Sequence, residues 1–274
     1  MDVQVTEGDK LIKDLGKSDF SVTDEGQPQS IVSFAHGDEP VTLILLLDVS
    51  GSMQKYIDEI SMEARQALDH LRPGDRVALM VFAKRTAVAQ GFSDNLADTA
   101  RRIGGSVRNW DVGSSTMINS SIVEAAHYME KHAGPGGRRA ILILTDNLST
   151  SYRLTDGQVI RELNKADTVL NAIITGRAIR PLPEAAGKPS NPDYTPANVY
   201  ELAEQTGGEW VKAENAGDSF KDMIERIRSR YMLAYHEPEA PPGTFRHIVV
   251  TLDDAARKRY PAAELHSRSG YYAQ

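Results

Sequence analysis

The run Val41-Thr42-Leu43-Ile44-Leu45-Leu46-Leu47-Asp48-Val49-Ser50-Gly51-Ser52 (VTLILLLDVSGS, residues 41–52) decides the fold. Up to Leu47 it is almost continuously apolar and rich in branched side chains, the pattern of a strand buried on both faces of a parallel sheet. The run is far too short to span a bilayer. It ends abruptly in a polar loop that begins with Asp48, so a central strand delivers an aspartate to one edge of the sheet.

Working outward, the flanking sequence alternates between helix and strand periods. Ile57, Ile60, Ala64, Ala67, Leu68 and Leu71 recur at helical spacing until Pro73-Gly74. Arg76 to Phe82 reads as a strand, Thr86 to Gln90 as a short edge strand, and Leu96 to Ile103 as a helix. Ile118, Ile122, Ala125, Ala126 and Met129 form another helical face, stopped near Gly134-Pro135-Gly136-Gly137 before a strand from Arg139 to Leu144. Gln158 to Lys165 is helical, Thr168 to Ile174 a strand, and Ala197 to Gln205 a helix that Gly207-Gly208 ends. A short strand at Glu209 to Val211 precedes a last helix whose apolar face is Phe220, Met223, Ile224, Ile227 and Tyr231. This alternation predicts an α/β fold with a doubly wound, mainly parallel sheet and helices on both faces. The Pro-rich stretch from Arg177 to Pro196 fits neither period and reads as a long loop.

The two ends have a different texture. Val3-Gln4-Val5, Phe20-Ser21-Val22, the turn Asp24-Glu25-Gly26 and Ile31 to Phe34 suggest a hairpin with period two in residues 1–40. Residues 232–274 contain Met232 to His236, the turn Pro241-Pro242-Gly243, the alternating Arg246 to Leu252, and Gly270-Tyr271-Tyr272. Neither end buries enough surface to fold alone. They are therefore expected to pair in one small β subdomain beside the α/β domain of residues 41–231.

Composition excludes several functions. With 31 Lys plus Arg against 38 Asp plus Glu, the net charge is -7, and a nucleic acid would approach a repulsive field. No nucleic-acid partner and no membrane insertion are expected. The chain has no cysteine, which removes disulfides, thiolate metal sites and cysteine nucleophiles. Met1 stands almost inside a strand pattern, which points to an exported protein (periplasmic, cell-surface or secreted) whose signal has been removed.

Ligands of open α/β sheets bind at the carboxyl ends of the strands. Asp48, Ser50 and Ser52 alternate along an extended turn, so their oxygens can converge on one point, with Gly51 relieving backbone crowding. Oxygen donors of this kind suit a hard cation, Mg2+ (or Mn2+ or Ca2+). One turn cannot complete the shell of such an ion. Thr116, in Gly113-Ser114-Ser115-Thr116 before a helix, and Asp146, in Leu144-Thr145-Asp146 after a strand, stand at the same edge.

These residues make the chain resemble the von Willebrand factor type A (vWA) family, a Rossmann-like fold shared with integrin inserted domains. The resemblance covers roughly residues 41 to 231. The Asp-x-Ser-x-Ser element of that family's metal-ion-dependent adhesion site corresponds to Asp48, Ser50 and Ser52, its separate threonine to Thr116, and its separate aspartate to Asp146. The resemblance implies that the hydroxyls coordinate the ion directly and that the aspartates act mostly through water or by orienting the other ligands. It also implies that a partner protein presents a carboxylate to the ion. The ends are similar to a bacterial, often exported subgroup, through KDLGKSDFSVTDEGQPQSIVSF before the central strand and YMLAYHEP, FRHIVVTL and RSGYYA after the last helix. Around Thr116 the chain has Ser114-Ser115 where Gly-Gly is commoner, and Asn119-Ser120 where Asp-Ala is frequent.

Other readings compete. Asp, Ser and Thr after a strand are ordinary helix caps when taken singly. An aspartate after a central strand is also used with magnesium by phosphatases and phosphoryl-transfer enzymes, but those require a second carboxylate where Ser50 stands. A third reading is a scaffold with a vestigial metal site that binds through the β subdomain. His127 and His132 are five residues apart and do not share a helix face, which argues against a zinc pair. Gly134 to Gly137 and Gly187-Lys188-Pro189-Ser190 lack the pattern of a phosphate loop, and Ser50 is not in a nucleophile elbow. No catalytic set emerges, so the expectation is a binding module. Arg108, Trp110, Tyr152, Arg153, Arg177 and Arg180 flank the site and are of the types favoured at interfaces; scattered solvated residues are the alternative.

Overall fold

The computed structural model describes residues 1–37, 39–105, 110–149, 154–176, 178–181 and 195–273. Of the flanking residues named above, Arg108, Tyr152, Arg153 and Arg177 lie outside these, as do the Gly187 to Ser190 segment and most of the Pro-rich stretch.

The central strand, Val41–Asp48, is buried along its whole length. It is flanked by parallel strands on both sides in a six-stranded sheet. Across the sheet the order is Trp210–Ala213, Val169–Thr175, Arg138–Thr145, Val41–Asp48, Arg76–Phe82 and Thr86–Ser93, all parallel except the last, which pairs antiparallel. That edge strand runs to Ser93, beyond the Gln90 that the sequence suggested, with a register shift between Val77 and Met80.

Because side chains alternate across a strand, the central strand feeds two cores. Val41, Leu43, Leu45 and Leu47 pack with helices α1 (Gln54–Leu68), α2 (Leu96–Gly105) and α6 (Ala216–Arg228). Ile44 and Leu46 face the other layer, α3 (Ile118–His132), α4 (Asp156–Lys165) and α5 (Val199–Gln205). The helix ends carry the expected signals. Thr155 and Gln158 form a reciprocal cap on α4, and Asn215 accepts from Gly217 and Asp218 at the start of α6. Gly207-Gly208 stops α5: Gly207 has φ +81°, and a Cβ on Gly208 would lie 1.7 Å from the Leu170 carbonyl oxygen.

The chain ends meet in two further sheets. One has the order Ala263–Ser267, Asp2–Glu7, Tyr231–Ala234, Ser33–His36, and the other Gly270–Tyr272, Phe245–Leu252, Phe20–Asp24, Gln27–Gln29. Val3, Val5, Phe20, Val22, Leu233, Ile248 and Val250 from both sheets share one apolar cluster. Three details differ from the sequence reading. Tyr231 does not belong to the last helix, which ends at Arg228; it begins a strand, stacks near Phe34 and His36, and its hydroxyl donates to the Ile12 carbonyl. The hairpin partner of Phe20–Asp24 is Gln27–Gln29, whereas Ser33–His36 has moved to the other sheet. Helix α7 (Asp254–Arg259) and the strand Ala263–Ser267 are too short and polar to have been read. Within the Pro-rich stretch, Thr195–Pro196 forms a two-residue strand with Leu148–Ser149.

Buried arginines fasten these sheets to the amino ends of the parallel strands. Arg138, 1% exposed, donates to Asp2 Oδ1 at 2.7 Å and to the carbonyls of Ile227, Arg228 and Arg230 at 3.1, 3.1 and 2.7 Å. It thereby satisfies the orphan carbonyls at the end of α6 while holding the first strand of the chain. Arg228 Nε lies 3.2 Å from Asp75 Oδ2, and the other oxygen of Asp75 accepts from the Val41 N–H that starts the central strand.

Losing one member of such a buried set strands the rest. Arg138→Met is expected to lower the unfolding free energy by about 3–5 kcal/mol, measured by urea denaturation; a loss below about 1 kcal/mol would refute this account. Asp24 offers a second test. It is buried and accepts from Arg246, Tyr235 and Tyr271. Burial pushes its carboxyl up, but these bonds outweigh it and hold the group below the usual carboxylate range. The stabilisation is therefore present above the unfolded-state value of about 3.9 and is lost as pH falls through the lower folded-state value. Asp24→Asn should melt several degrees below wild type at neutral pH, with the gap closing below about pH 4. A gap that is constant with pH would contradict this.

Candidate metal centre

The carboxyl ends of the parallel strands face away from the terminal sheets, and the five predicted ligand residues stand there. Asp48 is the last residue of the central strand and is 0% exposed. Val49 still continues the ladder through its N–H to the Phe82 carbonyl, and the chain then turns through Gly51–Met53 into α1. This turn brings the Ser50 N–H to Asp48 Oδ1 at 3.0 Å, while Thr145 Oγ1 donates to Asp48 Oδ2 at 2.9 Å. Both carboxylate oxygens are thus oriented from two adjacent strands.

Ser52 Oγ donates to Asp146 Oδ2 at 2.6 Å and lies 3.4 Å from Ser50 Oγ. Asp146 Oδ1 accepts from the Leu148 N–H at 3.1 Å. Asp48, Ser50, Ser52 and Asp146 are therefore joined in one polar cluster. Thr116 is buried on the neighbouring loop, and its carbonyl accepts from Ser149 Oγ at 3.1 Å. The next residue, Met117, donates its N–H to Ala83 at the end of the adjoining strand. The threonine loop is thus tied on one side to the segment after Asp146 and on the other to the sheet.

Burial pushes the Asp48 carboxyl up to about 7, opposed by its bonds from Ser50 and Thr145 and reinforced by the nearby Asp146 charge. Among the described residues, no lysine, arginine or histidine forms a salt bridge with either aspartate. A buried carboxylate facing a second one calls for positive charge, and the donors at hand are all oxygens. That chemistry fits Mg2+, Mn2+ or Ca2+, with Asp48, Ser50, Ser52, Thr116 and Asp146 as the residues that would hold it. Among the described residues, no group of three or more His, Cys, Asp or Glu is placed for an alternative metal site.

Three residues to which the sequence assigns no role shape this cluster. Thr145 orients Asp48 and also accepts the Asn147 N–H. Asn147 has φ +61°; its amide donates to the Ala197 and Ile179 carbonyls, and its backbone carbonyl accepts from the Ala197 N–H. It holds the Asp146 loop against the segment entering α5. Asn119 donates to the Leu154 carbonyl and to Asp156 Oδ1, tying the start of α3 to the start of α4. An Asn directly after a strand-end aspartate was the available signal for Asn147, since Asn tolerates the left-handed region better than most residues. Of the flanking residues that are described, Trp110 is 38% exposed, whereas Arg180 is engaged with Glu204 and Glu201 beside α5.

Residues 43–148 match the family described as von Willebrand factor type A domain. No curated protein matches the sequence. Among solved structures, the chain is similar to the conserved hypothetical protein BatB from Bacteroides thetaiotaomicron, with 18% identity, TM-score 0.53, and coverage of 68% of this chain and 97% of that one. A von Willebrand factor type A protein from Catenulispora acidiphila is 14% identical, with TM-score 0.55, covering 76% of this chain and 49% of that one. Proximal thread matrix protein 1 from the mussel byssus, solved with a zinc-occupied MIDAS motif, is 15% identical with TM-score 0.55, covering 75% of this chain and 50% of that one. The identities are low and speak to fold, and the fold they share is the mixed, mainly parallel α/β sheet described above. The α/β core of this chain has the fold of von Willebrand factor type A domains, and its residues 43–148 match that family.

Proposed function

We propose that this chain is a divalent-cation-dependent protein-binding module, with a site made by Asp48, Ser50, Ser52, Thr116 and Asp146 that takes Mg2+ (or Mn2+ or Ca2+). The observation that carries the reading is the buried pair of strand-end carboxylates, linked through serine hydroxyls and without a salt-bridge partner among the described residues. When bound, the cation supplies an exchangeable coordination position that a carboxylate of a partner protein can take.

The chain's own residues do the rest. Asp48 is held by Ser50 and Thr145, so its carboxyl group is fixed in place before any ion arrives. Ser52 is exposed and Ser50 nearly buried, so one hydroxyl is reached from solvent while the other backs it. Engaged on both oxygens and closed off from solvent, Asp48 is poorly disposed to attack a phosphorus atom, which favours binding over phosphoryl transfer. In this reading residues 41–231 are the vWA domain, and residues 1–40 and 232–274 form a companion β unit. The protein is exported to the periplasm, the cell surface or the medium, on the similarity of its ends to an exported bacterial subgroup. Among the described residues, no helix is long and apolar enough to cross a membrane.

Saturating Mg2+ or Mn2+ should raise the melting temperature, by about 2.7 kcal/mol of added stability at a hundredfold excess over Kd, and chelator should reverse it. Asp48→Ala and Ser50→Ala should abolish the shift. A wild-type melting curve that no divalent cation moves would overturn the proposal.

A further inference from the structure

Where the terminal sheets meet the α/β core, four buried polar atoms have no hydrogen-bond partner among the described residues: Gln4 Oε1, Asn171 Nδ2, Glu209 Oε2 and Arg230 Nε. Gln4, Asn171 and Arg230 are each 1% exposed, and the Glu209 side chain 10%. Buried polar groups are nearly always paired, because each one left alone forfeits its hydration for nothing in return.

One guanidinium gathers three of these atoms. Arg230 donates through Nη1 to the Gly207 carbonyl and through Nη2 to Asn171 Oδ1 at 3.3 Å. The same Nη2 lies 3.8 Å from Glu209 Oε2, beyond hydrogen-bond reach. Nε and Nη2 form one edge of the planar guanidinium, so the Nε–H leaves from beside the nitrogen that reaches Asn171 and Glu209. Asn171 Oδ1 also accepts from the Glu209 N–H at 3.1 Å. Rotating that amide to reposition its nitrogen would break both bonds, so a flip does not relieve the arrangement.

Gln4 brings the fourth atom from the terminal sheets. Val3 and Val5 point into the apolar cluster of those sheets, so Asp2, Gln4 and Thr6 point the other way, toward the core. Asp2 accepts from Arg138, which also donates to the Arg230 carbonyl, and Thr6 lines one groove with Glu209. Gln4 stands between them. Its ladder partner is His266, which lines the same groove and precedes Ser267. A Cβ on Gly207, the residue whose carbonyl Arg230 holds, would lie 2.5 Å from the Ser267 carbonyl carbon.

Arg230 Nε and Asn171 Nδ2 are donors, whereas Glu209 Oε2 and Gln4 Oε1 are acceptors. A cation here would face two donors, and an anion two acceptors. A water molecule accepts two hydrogen bonds and donates two, and buried waters occupy sites with two to four such partners. We propose that one internal water is bound at this joint, accepting from Arg230 and Asn171 and donating to Glu209 and Gln4. It links the first strand of the chain to the core. Because its partners come from both sides, it leaves only when the joint opens, and its residence time measures that opening.

The test uses the whole chain. A high-resolution crystal structure should show a solvent peak about 2.7–3.2 Å from at least three of the four atoms. Oxygen-17 magnetic relaxation dispersion should detect a long-lived water whose residence time falls about tenfold in Gln4→Met, which keeps the side-chain length and removes one acceptor. Gln4→Leu should have the same effect. No solvent peak among these side chains in the wild type, or a residence time that neither variant changes, would overturn the proposal.

Discussion

A strand buried on both faces has room for charge only at its ends. Val41–Asp48 hydrogen-bonds to parallel neighbours on either side and sends alternate side chains into two separate cores. Apart from Thr42, every position before Asp48 is committed to apolar packing. The first carboxylate the strand can tolerate stands where the ladder stops, and there it is desolvated by the same helices that bury the leucines. The Asp48 environment is thus a by-product of the constraint that defines the sheet: a charge at the end of a dry strand, oriented by Ser50 and by Thr145 of the next strand, in a place that favours a cation.

The opposite end of the same strand layer solves a different problem. There the α6 carbonyls and the Val41 N–H must be satisfied away from water, and arginines and Asp75 do it. Arg138 spends its guanidinium on three carbonyls and one carboxylate, so α6 and the first strand of the chain share one anchor. Ligand chemistry and structural fastening are separated by the length of the strands. Loops can vary at one edge without disturbing the other, the general advantage of binding at strand carboxyl ends.

What the sequence made legible follows from how local each signal is. The doubly buried strand, the helical faces of α1, α3 and α6, and the spacing of Asp48, Ser50 and Ser52 are read within windows of a few residues. Thr116 and Asp146 are ligand candidates only because strand ends share an edge, which is a matter of topology. The spacing of Tyr231 from Ile227 and Ile224 is helical; only the tertiary demand of Phe34, His36 and the Ile12 carbonyl draws it into a strand. The move of Ser33–His36 to a different sheet from Phe20–Asp24 is likewise decided by a partner near the other end of the chain. Asn147 and Thr145 matter through bonds to segments that no local pattern connects to them.

The pairing of the chain ends bears on the order in which the protein can be made. Val3 sits between Tyr231 and Ser267, and Asp2 waits for Arg138. A ribosome delivers the α/β core, whose contacts are comparatively local, long before the last strands emerge. Until then the Asp2–Glu7 strand can pair only with the short Lys10–Leu11 segment and leaves its other edge open. Closing contacts of such large sequence separation is the slow, entropically costly part of folding. The terminal sheets are therefore the natural last step of biogenesis, and the segment from Asp2 to Glu7 is the nascent chain's most exposed liability for mispairing with its neighbours.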